Sequence, residues 1–302
     1  MPAEAIQRDV EFLDPKTFGR LQNLELIAKY IVEGFMIGLH KSPYHGFSVE
    51  FSSYRKYSPG DNLKFVDWKL FGRTDRHYVK QFEENTNLNC YLLLDKSGSM
   101  VLEDEGMSKL RYGSCLSAAF AYLMLKQRDA VSLATFDSEG VIYVPPSAKN
   151  SQLLTVLSQL QGLEAQSGTD FTSGLNKVAA RITHRGMIVL ISDLLAEPQE
   201  ILDVLKYFRY KKHEVVVIHV MSPQELDFPF NEQVEFEDAE TGAKLVTSGR
   251  LIREEYLQEL NAHFEELQKG CLNLEVDLLS LRTDEPLTDA FVSYLVKRQA
   301  LL

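Results

Sequence analysis

Cysteine is scarce in this chain and badly placed for joint chemistry. Only Cys90, Cys115 and Cys271 occur in 302 residues. An odd number, widely separated, excludes a disulfide framework and any Cys-x-x-Cys pair for zinc or redox work. Long hydrophobic runs are lacking too. The longest, Ala118 to Leu125, falls far short of the roughly 20 residues a bilayer-crossing helix needs. The first 30 residues hold no basic-then-apolar secretion pattern, and Glu4, Asp9 and Glu11 are mixed into them. Neither a phosphate-binding Gly-rich loop nor a Gly-x-Ser-x-Gly elbow is present. Positive charge is in deficit: 32 Lys and Arg against 43 Asp and Glu leave a net charge of -11, which argues against general nucleic-acid binding. These absences predict a soluble, cytoplasmic protein with no membrane span and no ATP-binding site of its own.

What is there is ordinary globular composition, 45% hydrophobic and 25% charged, in a chain long enough to bury a sizeable core. Residues 17–39 have helical spacing, with Leu21, Leu24, Ile27, Ala28 and Ile31 on one face. From Phe47 to Phe82 short β-prone pieces are broken by the turn signal Ser58-Pro59-Gly60-Asp61. After residue 88 apolar runs alternate with helical patterns. Strands are predicted at 89–94, 130–136, 141–144, 187–191, 214–220 and 272–279. Helices are predicted at 109–127, 152–160, 172–182, 198–208, 251–268 and 287–298. Such alternation predicts an α/β domain with a doubly wound, mostly parallel sheet over 88–302, with an acidic insertion near 223–249. A small α+β segment, helix then basic β-rich text, is expected ahead of it at 1–87.

Ligands of such sheets sit beyond the carboxyl ends of the strands, where the winding reverses. Three predicted loops there carry small oxygen-bearing residues: Asp95-Lys96-Ser97-Gly98-Ser99-Met100 after a strand, Ser167-Gly168-Thr169-Asp170 before a helix, and Ser192-Asp193 after another strand. Each alone is also an ordinary turn or helix cap. Together they offer two carboxylates and three hydroxyls, the hard oxygens that Mg²⁺, Mn²⁺ or Ca²⁺ takes. Gly98 is expected to permit a tight turn, and Lys96 and Met100 to flank the loop and shape what approaches it. Because the hydroxyls are neutral, the ion would stay electrophilic enough to accept a partner's carboxylate.

This order of residues resembles the metal-ion-dependent adhesion site of the von Willebrand factor A-type domain, Asp-x-Ser-x-Ser, then Thr, then Asp. Asp95, Ser97, Ser99, Thr169 and Asp193 fill its five positions. The resemblance implies a von Willebrand factor A-like fold and a metal that binds an acidic side chain of a protein partner without making or breaking bonds. Further motifs extend it. Phe51-x-x-Tyr54-Arg55-x-Tyr57-x-Pro59-Gly60-Asp61, Asp67-Trp68-Lys69, Arg73, Lys80-x-Phe82-Glu83-Glu84, Phe236-Glu237-Asp238-x-Glu240-Thr241-Gly242 and Tyr294-Leu295-x-x-Arg298 are similar to the text of domain-of-unknown-function family 58. Members of that family are typically encoded beside MoxR-type AAA+ ATPases, which implies an adaptor or co-chaperone in the assembly or maturation of other proteins. Many members begin with two transmembrane helices; this sequence has none.

Two other readings remain at this stage. A Mg²⁺-dependent phosphoryl-transfer hydrolase would use Asp95 as nucleophile, but such enzymes want an acid two residues on, and Ser97 stands there. A metal-free structural scaffold is the other. Residues 55–80 hold seven Lys or Arg against three Asp, and Gln224 to Glu240 hold seven acids with no Lys or Arg. The basic stretch is a solvated face, a docking surface for an acidic partner, or a match for that acidic stretch. Trp68, the single tryptophan, is expected to be a packing anchor.

Overall fold

A computed structural model describes residues 23–41, 54–56, 78–80, 88–104, 106–137, 140–165, 171–238 and 242–288. These fall into two units, residues 39–87 forming one and the remainder the other. Most of the motif text between Phe51 and Glu84, Trp68 included, lies outside the described residues, as do Ser167 to Asp170 and the predicted helix beyond residue 288.

Helix α1, Leu24–Lys41, starts where Asn23 caps it: the Asn23 side chain accepts from the Leu26 N–H at 3.1 Å. Its apolar face, Leu24, Ile27, Ala28, Ile31 and Val32, is buried. In the smaller unit β1, Tyr54–Lys56, pairs antiparallel with β2, Tyr78–Lys80.

The larger unit is built on six strands. They are β3 (Asn89–Asp95), β6 (Ala130–Phe136), β7 (Val141–Ser147), β8 (Met187–Ser192), β9 (Glu214–Met221) and β12 (Asp277–Arg282), in the order β12-β9-β8-β3-β6-β7. All pair in parallel except β7, which runs antiparallel along β6. The uninterrupted apolar text of β3, β8 and β9 follows from this, because a parallel strand covered on both faces has no polar side to show. Edge strand β7 instead alternates in exposure and carries Pro145 and Pro146, which cannot donate to a ladder and are tolerated at an edge. Where the β6–β7 register shifts, buried Gln152 donates to the Val131 and Pro145 carbonyls.

Helices close both faces. On one side α4 (Phe171–Ala179), α5 (Pro198–Tyr210) and α7 (Gly249–Asn273) pack Leu175, Ile201, Leu205 and Leu267 over Tyr91, Leu93, Ile188 and Val217. On the other lies α2 (Lys109–Lys126), backed by α3 (Ser151–Gln161). Its Gly113 sits so close that an added methyl would stand 2.8 Å from Leu94 Cδ1. The remaining pieces are the hairpin β4 (Glu103–Asp104) and β5 (Met107–Ser108), the short helix α6 (Pro223–Asp227), and the hairpin β10 (Gln233–Glu237) and β11 (Lys244–Ser248).

The fold is therefore the doubly wound, mostly parallel α/β sheet expected from the sequence. One element differs. The strand expected at 272–279 begins only at Asp277, because α7 runs on through Asn273. Cys271 is buried on that helix one turn after Leu267, Leu272 points to solvent at 78% exposure, and Glu275 turns the chain with φ 53°. The hairpins β4–β5 and β10–β11 were not anticipated as strands.

Candidate metal centre

The winding reverses between β3 and β8: from β3 the chain proceeds outward to β6 and β7, and from β8 outward through β9 to β12. In the ladder Leu94 is level with Ile191, so the last residue of each strand, Asp95 and Ser192, stand side by side at the crevice that doubly wound sheets use for ligands.

Asp95 is 2% exposed. Its Oδ1 accepts the Ser97 N–H at 2.9 Å and its Oδ2 accepts the Ser192 hydroxyl at 2.6 Å. Among the described residues no Lys, Arg or His pairs with it. Burial, and after it the negative charge of Asp193, push its carboxyl up to about 7, against the hydrogen bonds from Ser192 and Ser97. The chain then enters a single 3₁₀ turn, Gly98–Val101, closed by the Met100 N–H on the Ser97 carbonyl at 3.1 Å. Gly98 does not take a left-handed backbone; the tight 3₁₀ winding makes the bend. That turn brings Ser97 Oγ within 3.0 Å of Ser99 Oγ. The loop therefore brings the Ser97 N–H onto Asp95 and the Ser97 and Ser99 hydroxyls onto each other.

Asp193 follows Ser192, and its Oδ2 accepts from Lys109 Nζ at 2.7 Å. Lys109 opens α2 with no solvent exposure, and its ammonium also donates to Glu225 Oε1 of α6 at 2.6 Å. Glu225 in turn accepts the Ser222 N–H, completing a capping box. Behind the site, burial lowers His219 to about 4. Its neutral ring donates through Nε2 to the Asp193 carbonyl at 3.0 Å and meets Phe264 edge-on. Leu194 is held at φ 51°, a left-handed backbone costing a non-glycine residue about 1–3 kcal/mol. Two hydrogen bonds fix it there, its N–H to Ser192 Oγ and its carbonyl from His263 Nε2.

The flanking residues do not play the part expected of them. Lys96 is buried and paired with the buried Asp137, whose Oδ1 accepts the Gly140 N–H. Met100 is wholly buried in the core. Val101, in the turn itself, and Leu195, two residues after Asp193, are 55% and 49% accessible.

The donor chemistry fits a hard cation. Among the described residues no three His, Cys, Asp or Glu cluster to hold a metal, so the set on offer is two carboxylates and two hydroxyls. Thr169 lies outside the described residues. Sequence reasoning passed over Lys109, Glu225 and His219. One signal marked Lys109, a cation at the first position of a helix, the end where the macrodipole disfavours positive charge.

Fold and crevice together define a doubly wound, mostly parallel α/β domain with an oxygen-rich centre at its switch point. The model of a family described as proteins of unknown function, DUF58, matches residues 53–266, more than two thirds of the chain. The chain belongs to that family. Uncharacterized protein Rv1480 of Mycobacterium tuberculosis is 25% identical over 302 residues, spanning 99% of this chain and 94% of that protein. Uncharacterized protein YeaD of Bacillus subtilis is 29% identical over 92 residues, 30% of this chain and 21% of that one. Among solved structures, BatB of Bacteroides thetaiotaomicron covers 70% of this chain and 98% of its own at 16% identity and a TM-score of 0.46. The VWA domain of SpRpn10 covers 68% and 93% at 12% identity and a TM-score of 0.39. No helix among the described residues is long and apolar enough to cross a membrane.

Proposed function

We propose that this chain is a non-catalytic, metal-dependent protein-interaction module. Asp95, Ser97, Ser99 and Asp193, joined by Thr169, would hold a divalent cation, Mg²⁺ or alternatively Mn²⁺ or Ca²⁺. The observation that carries this reading is the buried Asp95 carboxylate beside Asp193 with no cation of its own. Two like charges at a dry strand end call for more positive charge than Lys109 supplies, because its ammonium is already shared between Asp193 and Glu225. Such an ion, when bound, supplies a Lewis-acidic position for a partner's Asp or Glu. The protein's own part is to orient Asp95 through Ser192 and Ser97.

A hydrolase reading fares worse. Ser97 cannot act as acid and base at neutral pH.

The partner proposed from the family resemblance is a MoxR-type AAA+ ATPase or its client, offering an acidic side chain, with this chain as a cytoplasmic adaptor in assembly or maturation. A pull-down from native lysate with and without chelator tests it. Recovery of an AAA+ ATPase only with metal present is expected; identical recovery in chelator overturns the metal dependence. Asp95→Ala should lose Mg²⁺ or Mn²⁺ binding in calorimetry while keeping a cooperative melt. Unchanged metal affinity in that variant would sink the assignment, and turnover of a generic phosphate ester would sink the non-catalytic reading.

A further inference from the structure

Four charged side chains form a chain of neighbours at the switch point: Asp193 acts electrostatically on Asp95, and Lys109 bridges Asp193 to Glu225. Asp95 and Asp193 are buried, Lys109 has no exposure at all, and the Glu225 side chain retains 14%. Lys109 Nζ lies 2.7 Å from Asp193 Oδ2 and 2.6 Å from Glu225 Oε1. With all three carboxylates ionised, as a bound cation would require, they and the one ammonium leave two negative charges, the complement of one divalent ion.

We infer that Lys109 is a built-in counter-cation that sets the charge and affinity of the metal centre, and that Glu225 sets how much of that cation Asp193 feels. The inference rests on the metal reading of Asp95 and Asp193 and goes beyond it, since it assigns the centre's charge selectivity to two residues outside the ligand set. The reasoning is electrostatic. An ammonium in contact with a prospective ligand repels an incoming cation, and at so buried a site the repulsion is poorly screened. Lys109 also engages Oδ2 of Asp193, fixing how that carboxylate is turned. Glu225 draws part of the ammonium's charge to itself, which leaves Asp193 more negative than a two-membered pair would.

The two residues should therefore act in opposite directions. Lys109→Met removes the positive charge and raises the centre to three negative charges. Its Mn²⁺ affinity should tighten by about tenfold, ~1.4 kcal/mol, and its preference for Tb³⁺ over Mn²⁺ should rise. Glu225→Gln keeps an acceptor for the Ser222 N–H but leaves one negative charge. Its Mn²⁺ affinity should fall by a similar factor and its Tb³⁺ preference with it. Lys109→Arg keeps the charge and should stay near the parent in that preference.

Calorimetric titration of the full chain and these three variants with Mn²⁺ and Tb³⁺, each beside a metal-free thermal melt, is the test. The Tb³⁺-to-Mn²⁺ affinity ratio is the deciding number, because general loosening of the fold weakens both ions alike. Opposite shifts support the counter-cation. Shifts in the same direction, or none, give Lys109 and Glu225 a packing role and overturn it while the metal reading stands. A parent chain that binds neither ion overturns both. If Lys109→Met does not fold, Glu225→Gln and Lys109→Arg carry the comparison: a Glu225→Gln ratio equal to the parent's overturns the inference.

Discussion

The Ser192 hydroxyl gives its proton to Asp95 Oδ2 at 2.6 Å and takes one from the Leu194 N–H at 3.0 Å. One small side chain thus steadies a buried carboxylate and a strained left-handed leucine across the two strands of the switch point. Ser192→Ala removes both bonds and leaves a buried N–H without its acceptor, which should cost about 2–3 kcal/mol. Ser192→Thr keeps the hydroxyl and should recover most of it. Urea unfolding of the two variants measures the difference, and equal midpoints would contradict the double role.

Two buried groups pull stability in opposite directions over one pH window. The Asp95 carboxyl is raised to about 7 in the fold, so the folded chain binds the extra proton and stability is lost as pH climbs from about 4 through 7. His219 is lowered to about 4, so the unfolded chain binds the extra proton and stability is lost as pH drops from about 6.5 through 4. Each is worth on the order of 3 kcal/mol when fully expressed. Between pH 4.5 and 6.5 the two should largely cancel in the metal-free chain. His219→Gln should then show stability falling as pH rises, and Asp95→Asn the reverse. Parallel slopes in the two variants would refute the opposition; denaturant midpoints across that range report it.

Lys96 is predicted to matter for folding rather than for contact with a partner. Lys96→Ala takes the cation from Asp137, which is 1% exposed in its side chain, and breaking such a buried pair costs about 3 kcal/mol. Partner capture per folded molecule should be unchanged. Reduced capture at full folding, checked by circular dichroism, would return Lys96 to the recognition surface.

Gly186 stands just before β8, and a methyl added there would lie 2.1 Å from the Asn89 carbonyl oxygen of β3. That oxygen is backbone and not the end of a flexible side chain, so the strands must part. Gly186→Ala should lose about 2 kcal/mol or more, read as a lowered melting temperature. An unchanged melt would show that β3 and β8 tolerate the separation.

The fold was legible where burial leaves no choice of residue. Strand β6 falls at 130–136 as its apolar run implies, and β8 and β9 differ from expectation by a residue at one end. The end of α7 misled because Leu272, Leu274 and Val276 alternate as a strand would, while Leu267 and Cys271 continue a helical face. The hairpin β10–β11 shows only partial burial along QVEFE and KLVTS, so its text reads as charged insertion. The strand-end positions of Asp95 and Asp193 were readable because each stands at the close of a buried strand or directly after it. Lys109 and Glu225 were not: their contacts span 84 and 116 residues, a separation that local patterning does not encode.

The switch point also has a history within each molecule. Asp95 and Ser192 are 97 residues apart in the chain, and the strands bearing them pair only after that whole length has been brought round. Closing so long a loop costs entropy that is repaid only when β3 and β8 zip together. No fragment ending before β8 can assemble the crevice, and a nascent chain emerging from the ribosome carries Asp95 long before its neighbours arrive. Formation of the crevice is thereby tied to completion of the sheet: a half-made molecule does not contain it.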